Sequence, residues 1–179
     1  MRIIGIGGSP RDGNSDRMLE EAIRGAISGG ADVKSSHLRK IRWRGCCGRD
    51  ECFYDRNCII KDQMSDLMKE VEDADGIILA SPSYFNNVSG LMKDFMDRTN
   101  PYCRDRTWKG KKAVLLSVGG ANERSVKRCA GIMKEFLGIH GITVVGAICA
   151  KAEKPGEIAP EKLAECFDAG RRLAASKKP

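Results

Sequence analysis

Apolar residues along this chain alternate between two periodicities. Ile3–Ile6, Gly76–Ala80 and Ala113–Val118 are short, nearly continuous apolar runs and read as buried strands. Gly141–Cys149 reads as a further strand, and Asp32–Leu38 as a more polar, peripheral one. Between the strands the spacing changes to three and four. Met18, Leu19, Ala22, Ile23, Ala26 and Ile27 mark a helix ended by Gly29-Gly30. Met64, Leu67, Met68 and Val71 mark a second, and Val88, Leu91, Met92, Phe95 and Met96 a third. Val126, Cys129, Ala130, Met133, Phe136 and Leu137 mark a fourth, and a last helix runs from about Pro160 to Ala175. Strands alternating with helices imply βαβ units and a parallel sheet covered on both faces, which the apolar runs of strands one, three, four and five fit. The expected fold is α/β, doubly wound, with five strands in the order 2-1-3-4-5. Such a sheet takes its ligand at the carboxyl ends of strands one and three.

Composition narrows the class. A chain of 179 residues with 41% hydrophobic and 31% charged residues is expected to form one globular domain, 1–179. No run of about 18 apolar residues predicts a membrane span. The amino terminus begins directly with a strand and carries no secretory pattern, so a cytoplasmic location is expected. Eight cysteines in such a chain argue against a disulfide framework. Cys129, Cys149 and Cys166 fall on apolar helix faces or in a strand and read as small buried hydrophobes. The net charge of +7 raises the question of nucleic acid. Its basic residues are spread over Arg39–Arg44, Arg104–Lys112 and Lys177-Lys178 with no nucleic-acid motif, so no nucleic-acid partner is expected.

The chemistry begins where strand one meets the first helix, at Gly8-Ser9-Pro10-Arg11-Asp12-Gly13-Asn14-Ser15. Pro10, Gly13 and Asn14 permit a tight exposed turn, and Asn14 or Ser15 can cap the helix. Free amides at a helix start, with the hydroxyls of Ser9 and Ser15, make an anion cradle, and Arg11 adds a charge-assisted donor. A capped loop without a ligand is the plain alternative. The spacing Gly8-x4-Gly13-Asn14-Ser15 also fits a Walker A loop, but Asn14 stands where the phosphate-binding lysine belongs, and strand three ends in Ser81 rather than a metal-binding Asp. A cradle for one phosphate fits better.

Two more loops leave the same sheet edge: Ser81-Pro82-Ser83-Tyr84-Phe85-Asn86-Asn87 and Ser117-Val118-Gly119-Gly120-Ala121-Asn122. Tyr84 and Phe85 can wall a flavin ring. Amides around Asn86, Gly119 and Gly120 can meet its polar edge. With the phosphate loop, they point to FMN.

These three motifs together resemble the NADPH-dependent FMN reductase family, within the flavodoxin-like superfamily, over Met1 to about Ala150. The resemblance implies that Ser9, Arg11, Gly13, Asn14 and Ser15 surround the FMN phosphate, and that Pro82, Ser83, Tyr84, Phe85, Asn86 and Asn87 with Ser117, Gly119 and Gly120 hold the ring. It also implies a homodimer or homotetramer, with flavins near subunit interfaces. The long loop from Arg39 to Lys61, which one small sheet cannot easily cover, points the same way.

Within that loop, after strand two, lies Cys46-Cys47-Gly48-Arg49-Asp50-Glu51-Cys52-Phe53-Tyr54-Asp55-Arg56-Asn57-Cys58. It resembles the iron–sulfur flavoproteins, whose pattern is C-x2-C-x2-C-x5-C followed by an Asp-containing helix start. Cys46, Cys52 and Cys58 match the first, third and fourth positions, and Asp62-Gln63-Met64 the helix start; the second position is Arg49. Cys47 is the nearby substitute, although adjacent side chains diverge in an extended backbone. A [4Fe–4S] cluster using Cys47, a three-cysteine cluster with another ligand, a structural zinc site and a cluster-free loop all stay open. The expected activity is FMN-dependent electron transfer between a small-molecule or protein donor and acceptor, with no catalytic side chain assigned. A cluster-free NAD(P)H-dependent flavin, quinone or azo reductase is the alternative. His37, at a strand edge, and His140, at a helix–strand turn, do not read as catalytic.

Overall fold

The structure is a computed structural model that describes residues 1–176. Lys177 and Lys178 of the basic tail lie outside the described residues. Five strands form one parallel sheet: β1 (Arg2–Gly7), β2 (Asp32–His37), β3 (Gly76–Pro82), β4 (Lys112–Gly119) and β5 (Thr143–Lys151). Their order is β2-β1-β3-β4-β5, as the alternation predicts. The helices are α1 (Asn14–Ser28), α2 (Glu51–Asp55), α3 (Gln63–Asp73), α4 (Gly90–Asp97), α5 (Glu123–Ile139) and α6 (Pro160–Ala175).

The sheet separates two apolar layers. Ile4, Ile6, Ile77, Leu79 and Leu115 face Met64, Leu67, Met92, Phe95 and Met133 from α3, α4 and α5. Ile3, Ile78, Val114 and Leu116 face Met18, Leu19, Ala22, Cys166 and Leu173 from α1 and α6. β1, β3 and β4 are buried almost throughout. β5 is not: as an edge strand it exposes alternate residues, with Val145 43% exposed, which corrects the expectation of burial for strand five. Among the described residues, no helix is long and apolar enough to cross a membrane.

α1 and α6 touch backbone to backbone. A Cβ on Gly170 would lie 2.7 Å from the Ala22 carbonyl carbon, and one on Gly25 would lie 2.6 Å from that of Phe167. Glycine at both positions is what permits the approach.

His140 caps α5 in a buried aromatic stack, 4.6 Å from the Trp108 ring centroid, with Tyr102 also stacked on Trp108. The Thr99 hydroxyl donates to the Met96 carbonyl, so the 2.9 Å contact with His140 is made by a neutral ring donating Nε2–H. Burial lowers the His140 pKa from 6.5 to about 4. The folded state thus takes up this proton less readily than the unfolded chain. The contribution is complete above pH 6.5, is lost as pH falls toward 4, and amounts to roughly 3 kcal/mol at the limit. His140→Gln is expected to flatten the fall in urea midpoint between those pH values relative to the wild type. Parallel midpoint–pH curves would reject this role.

Candidate functional site

Four loops converge at the carboxyl edge of the sheet. The first joins β1 to α1. Its Ser9 hydroxyl donates to the Arg11 carbonyl at 2.5 Å and accepts from the Arg11 amide at 3.2 Å, folding the turn on itself. Gly13, extended at φ −172°, is the N-cap, and no side chain caps the helix. This corrects the expectation that Asn14 or Ser15 caps it. The first-turn amides therefore face the cleft without a side-chain acceptor, the arrangement that binds anions.

The second loop follows β3. The Ser83 amide donates to the Val118 carbonyl at 2.7 Å, fastening this loop to the third, after β4. The Ser89 hydroxyl donates to the Gly8 carbonyl at 2.5 Å and caps α4 through the Met92 amide at 3.1 Å, fastening it to the first. Tyr84 and Asn87 pair through both backbone groups, and Phe85 and Asn86 between them both have positive φ, 51° and 64°. This is a type I′ turn. Phenylalanine is an unfavourable residue for it.

The fourth loop, after β5, reaches the first across the cleft. Asn14 Nδ2 donates to the Lys154 carbonyl at 2.8 Å, and its Oδ1 accepts from the Gly156 amide at 2.7 Å. Arg17 Nη1 donates to the Gly156 carbonyl at 3.0 Å. Both polar ends of the Asn14 side chain are thus engaged in protein contacts. Asn14 lines the cleft, but its side chain latches the wall; the backbone at that position faces the anion.

The cleft between these loops encloses about 230 Å3. Ser9, Arg11, Gly13, Asn14, Ser15, Pro82, Ser83, Tyr84, Gly119 and Gly120 line it, as the sequence motifs predict. Phe85, Asn86 and Asn87 line a separate groove beside α5 with Arg128 and Ile132, and Phe85 is fully exposed. The positive-φ turn carries them away from the cleft. Ser117 is buried within β4. Val118 of the third-loop motif also lines it, and Ala152, Glu153 and Pro155, which complete the lining, were not singled out from sequence. The signal for them was the fourth loop leaving the same sheet edge. His37 serves structure: its Nδ1 lies 3.2 Å from the Asp16 carboxylate, which Arg39 Nη1 approaches at 2.7 Å beneath the first loop.

A second cleft lies at the cysteine loop. Cys46, Cys47, Cys52 and Cys58 all line it, together with Arg49, Asp97, Arg98 and Asn100. The loop is not wholly irregular, since Glu51–Asp55 forms the short helix α2 and places Cys52 inward. Cys46 Sγ accepts from the Gly48 amide and Cys52 Sγ from Asn100 Nδ2, each at 3.4 Å. Arg49 turns its guanidinium toward Glu51 and Asp55, at 3.2 and 3.4 Å. The space between the thiols is narrow, about 10 Å3. Among the described residues, no three Cys, His, Asp or Glu side chains converge as a single-ion site.

The profile of the NADPH-dependent FMN reductase family matches residues 1–155. An iron–sulfur flavoprotein of Archaeoglobus fulgidus is 34% identical over 177 residues, covering 97% of this chain and 79% of that one. One from Methanosarcina thermophila is 32% identical over 152 residues, covering 82% and 78%. Among solved structures, a flavodoxin, WrbA-like protein of Agrobacterium tumefaciens superposes with a TM-score of 0.71 at 19% identity, covering 97% of this chain and 95% of that one.

Proposed function

The chain belongs to the NADPH-dependent FMN reductase family and is an FMN-dependent oxidoreductase, and from that premise we propose that it holds FMN in the four-loop cleft and an iron–sulfur cluster at the cysteine loop. The observation that carries the flavin site is the convergence of unsatisfied helix-start amides, Arg11 and the glycine-lined third loop on one cleft. FMN supplies the ring that takes and gives electrons singly or in pairs. This chain's residues bind and orient it. The amides of Asn14 and Ser15, the Ser15 hydroxyl and Arg11 receive the phosphate, while Tyr84 walls the ring and the amides of Gly119 and Gly120 meet its polar edge. The cleft is smaller than the roughly 300 Å3 at which small-molecule pockets begin, so part of the flavin stays at the surface, open to donor and acceptor.

Arg11→Ala is expected to weaken FMN by roughly 1.5–3 kcal/mol and riboflavin, which lacks the phosphate, very little. Fluorescence titration of the apoprotein with each ligand measures both. Equal weakening would place Arg11 in the fold instead, and recovery of FAD rather than FMN from the yellow protein would sink the flavin assignment.

Support for the cluster comes from four thiols on one cleft, two N–H···S bonds already in place, and the iron–sulfur flavoproteins among the relatives. A cluster supplies one-electron relay. The protein is further proposed to be a cytoplasmic homodimer or homotetramer exchanging electrons with small-molecule or protein partners. The exposed Phe85 on its unfavourable turn supports a covered surface there.

A further inference from the structure

The neck of the cysteine loop is closed by one buried ion pair. Arg98, at the carboxyl end of α4, is 4% exposed. Its Nη1 donates to Asp62 Oδ2 at 2.9 Å and to the Arg44 carbonyl at 2.7 Å. Its Nη2 donates to Asp62 Oδ1 at 3.0 Å and to the Ile60 carbonyl at 3.1 Å. The Asp62 carboxylate also accepts from the Arg44 amide at 3.0 Å. Arg44 precedes Cys46 by two residues and Ile60 follows Cys58 by two. One guanidinium therefore ties both ends of the cysteine loop to the core, through the planar fork that only arginine offers. Burial would raise the Asp62 carboxyl, but hydrogen bonds from Arg98 and the Arg44 amide outweigh it and hold the pKa below the usual carboxylate value.

This pair accounts for both terminal nitrogens. The remaining donor, Nε–H, is buried and has no hydrogen-bond partner among the described residues. Burying a donor unsatisfied is costly, and buried donors are nearly always paired. Arg98 lines the cysteine cleft, and the Cys58 thiol is near enough to interact with the guanidinium. The guanidinium charge thus lies close to the Cys58 thiol, on the cleft where its one unused donor is left without a partner.

We propose that Arg98 is the positioning residue of the cysteine centre, fixing the loop's neck through Asp62 and presenting its Nε–H and positive charge to the Cys58 sulfur, so that the reduced state of the group held there is favoured. The inference rests on the cluster reading above. Its physical basis is that hydrogen bonds and charges around the ligating sulfurs set the reduction potential, and a cation stabilises the form carrying one more electron.

The test compares wild type, Arg98→Gln, Arg98→Lys and Asp62→Asn, each reconstituted with iron and sulfide under anaerobic conditions and titrated by electron paramagnetic resonance. Arg98→Gln is expected to shift the one-electron equilibrium at least about tenfold toward the oxidised form, ~59 mV more negative. Arg98→Lys keeps the charge without Nε–H and is expected to shift it less. Asp62→Asn loosens the neck but leaves the charge, and its potential should equal or exceed that of the wild type. The FMN potential should stay put in all three. Iron-replete Arg98→Gln with an unchanged potential overturns the proposal, as does Asp62→Asn with a potential as low as that of Arg98→Gln. If Arg98→Gln retains no iron, Arg98→Lys decides: a lower potential than wild type supports the proposal and an equal one overturns it. Wild type that holds no iron overturns the proposal together with the cluster reading.

Discussion

Gly170→Ala is expected to destabilise the protein by about 3 kcal/mol or more, in spite of placing the better helix former inside a helix. In α6 alone the substitution would gain about 1 kcal/mol. Against this, the new Cβ falls within the van der Waals envelope of the Ala22 carbonyl oxygen, and 2.7 Å from its carbon. The obstacle is backbone, which cannot rotate aside, so α1 and α6 must separate and open the layer of Met18, Leu19, Ala22 and Leu173. Overpacking of a well-packed core costs typically 1–3 kcal/mol even where side chains can yield. Gly25→Ala meets the Phe167 backbone in the same way and should behave alike. Gly131→Ala supplies the contrast. A Cβ there has nothing within 4 Å among the described residues, so this change in α5 should be neutral or stabilising by up to about 1 kcal/mol. Urea unfolding of the three variants measures the differences. A Gly170→Ala midpoint at or above that of the wild type would mean that the two helices do not meet this closely.

The second large effect concerns the fourth thiolate. Cys47 lines the same cleft as Cys46, Cys52 and Cys58, whereas Arg49, at the second position of the iron–sulfur flavoprotein pattern, is held by Glu51 and Asp55. Cys47→Ser is therefore expected to lower the iron and sulfide of anaerobically reconstituted protein sharply, as Cys52→Ser and Cys58→Ser should. Serine is a poor ligand for soft iron–sulfur chemistry. Combining Cys47→Ser with Arg49→Cys should restore them. The fold should tolerate the loss of Arg49, because its two ion pairs are solvent-exposed and such pairs contribute little. Unchanged iron in Cys47→Ser would make Cys47 a bystander and leave three cysteines with another ligand. Absence of iron from both the wild type and Arg49→Cys would leave the cluster-free reductase as the better account.

What could be read from the sequence was what is local. The alternation of apolar runs with helical spacing specified the strand order, because each βαβ unit has one favoured hand and short connections. The cleft was legible for a related reason: Gly8 to Ser15 is contiguous, and Tyr84 and Gly119 follow their strands directly at one sheet edge. What escaped depends on distant partners or local strain. The side chain of Asn14 reads as a phosphate ligand or cap until Lys154 and Gly156 are seen to occupy it. Arg98 reads as a solvated charge at a helix end, since its partners Asp62, Arg44 and Ile60 lie 36 to 54 positions away. Phe85 reads as a ring wall because no propensity rule places an aromatic residue at positive φ.

The latch between Asn14 and the loop after β5 also fixes an order of events. Those hydrogen bonds close contacts across 140 and 142 positions of sequence. On a ribosome the phosphate loop emerges early, but its facing wall of Ala152, Glu153 and Pro155 emerges only after all five strands. Contacts of such long range form late in folding. The cleft therefore has no complete form in a chain that stops short of the loop after β5, and flavin capture becomes a signal that the last strand has been made and docked.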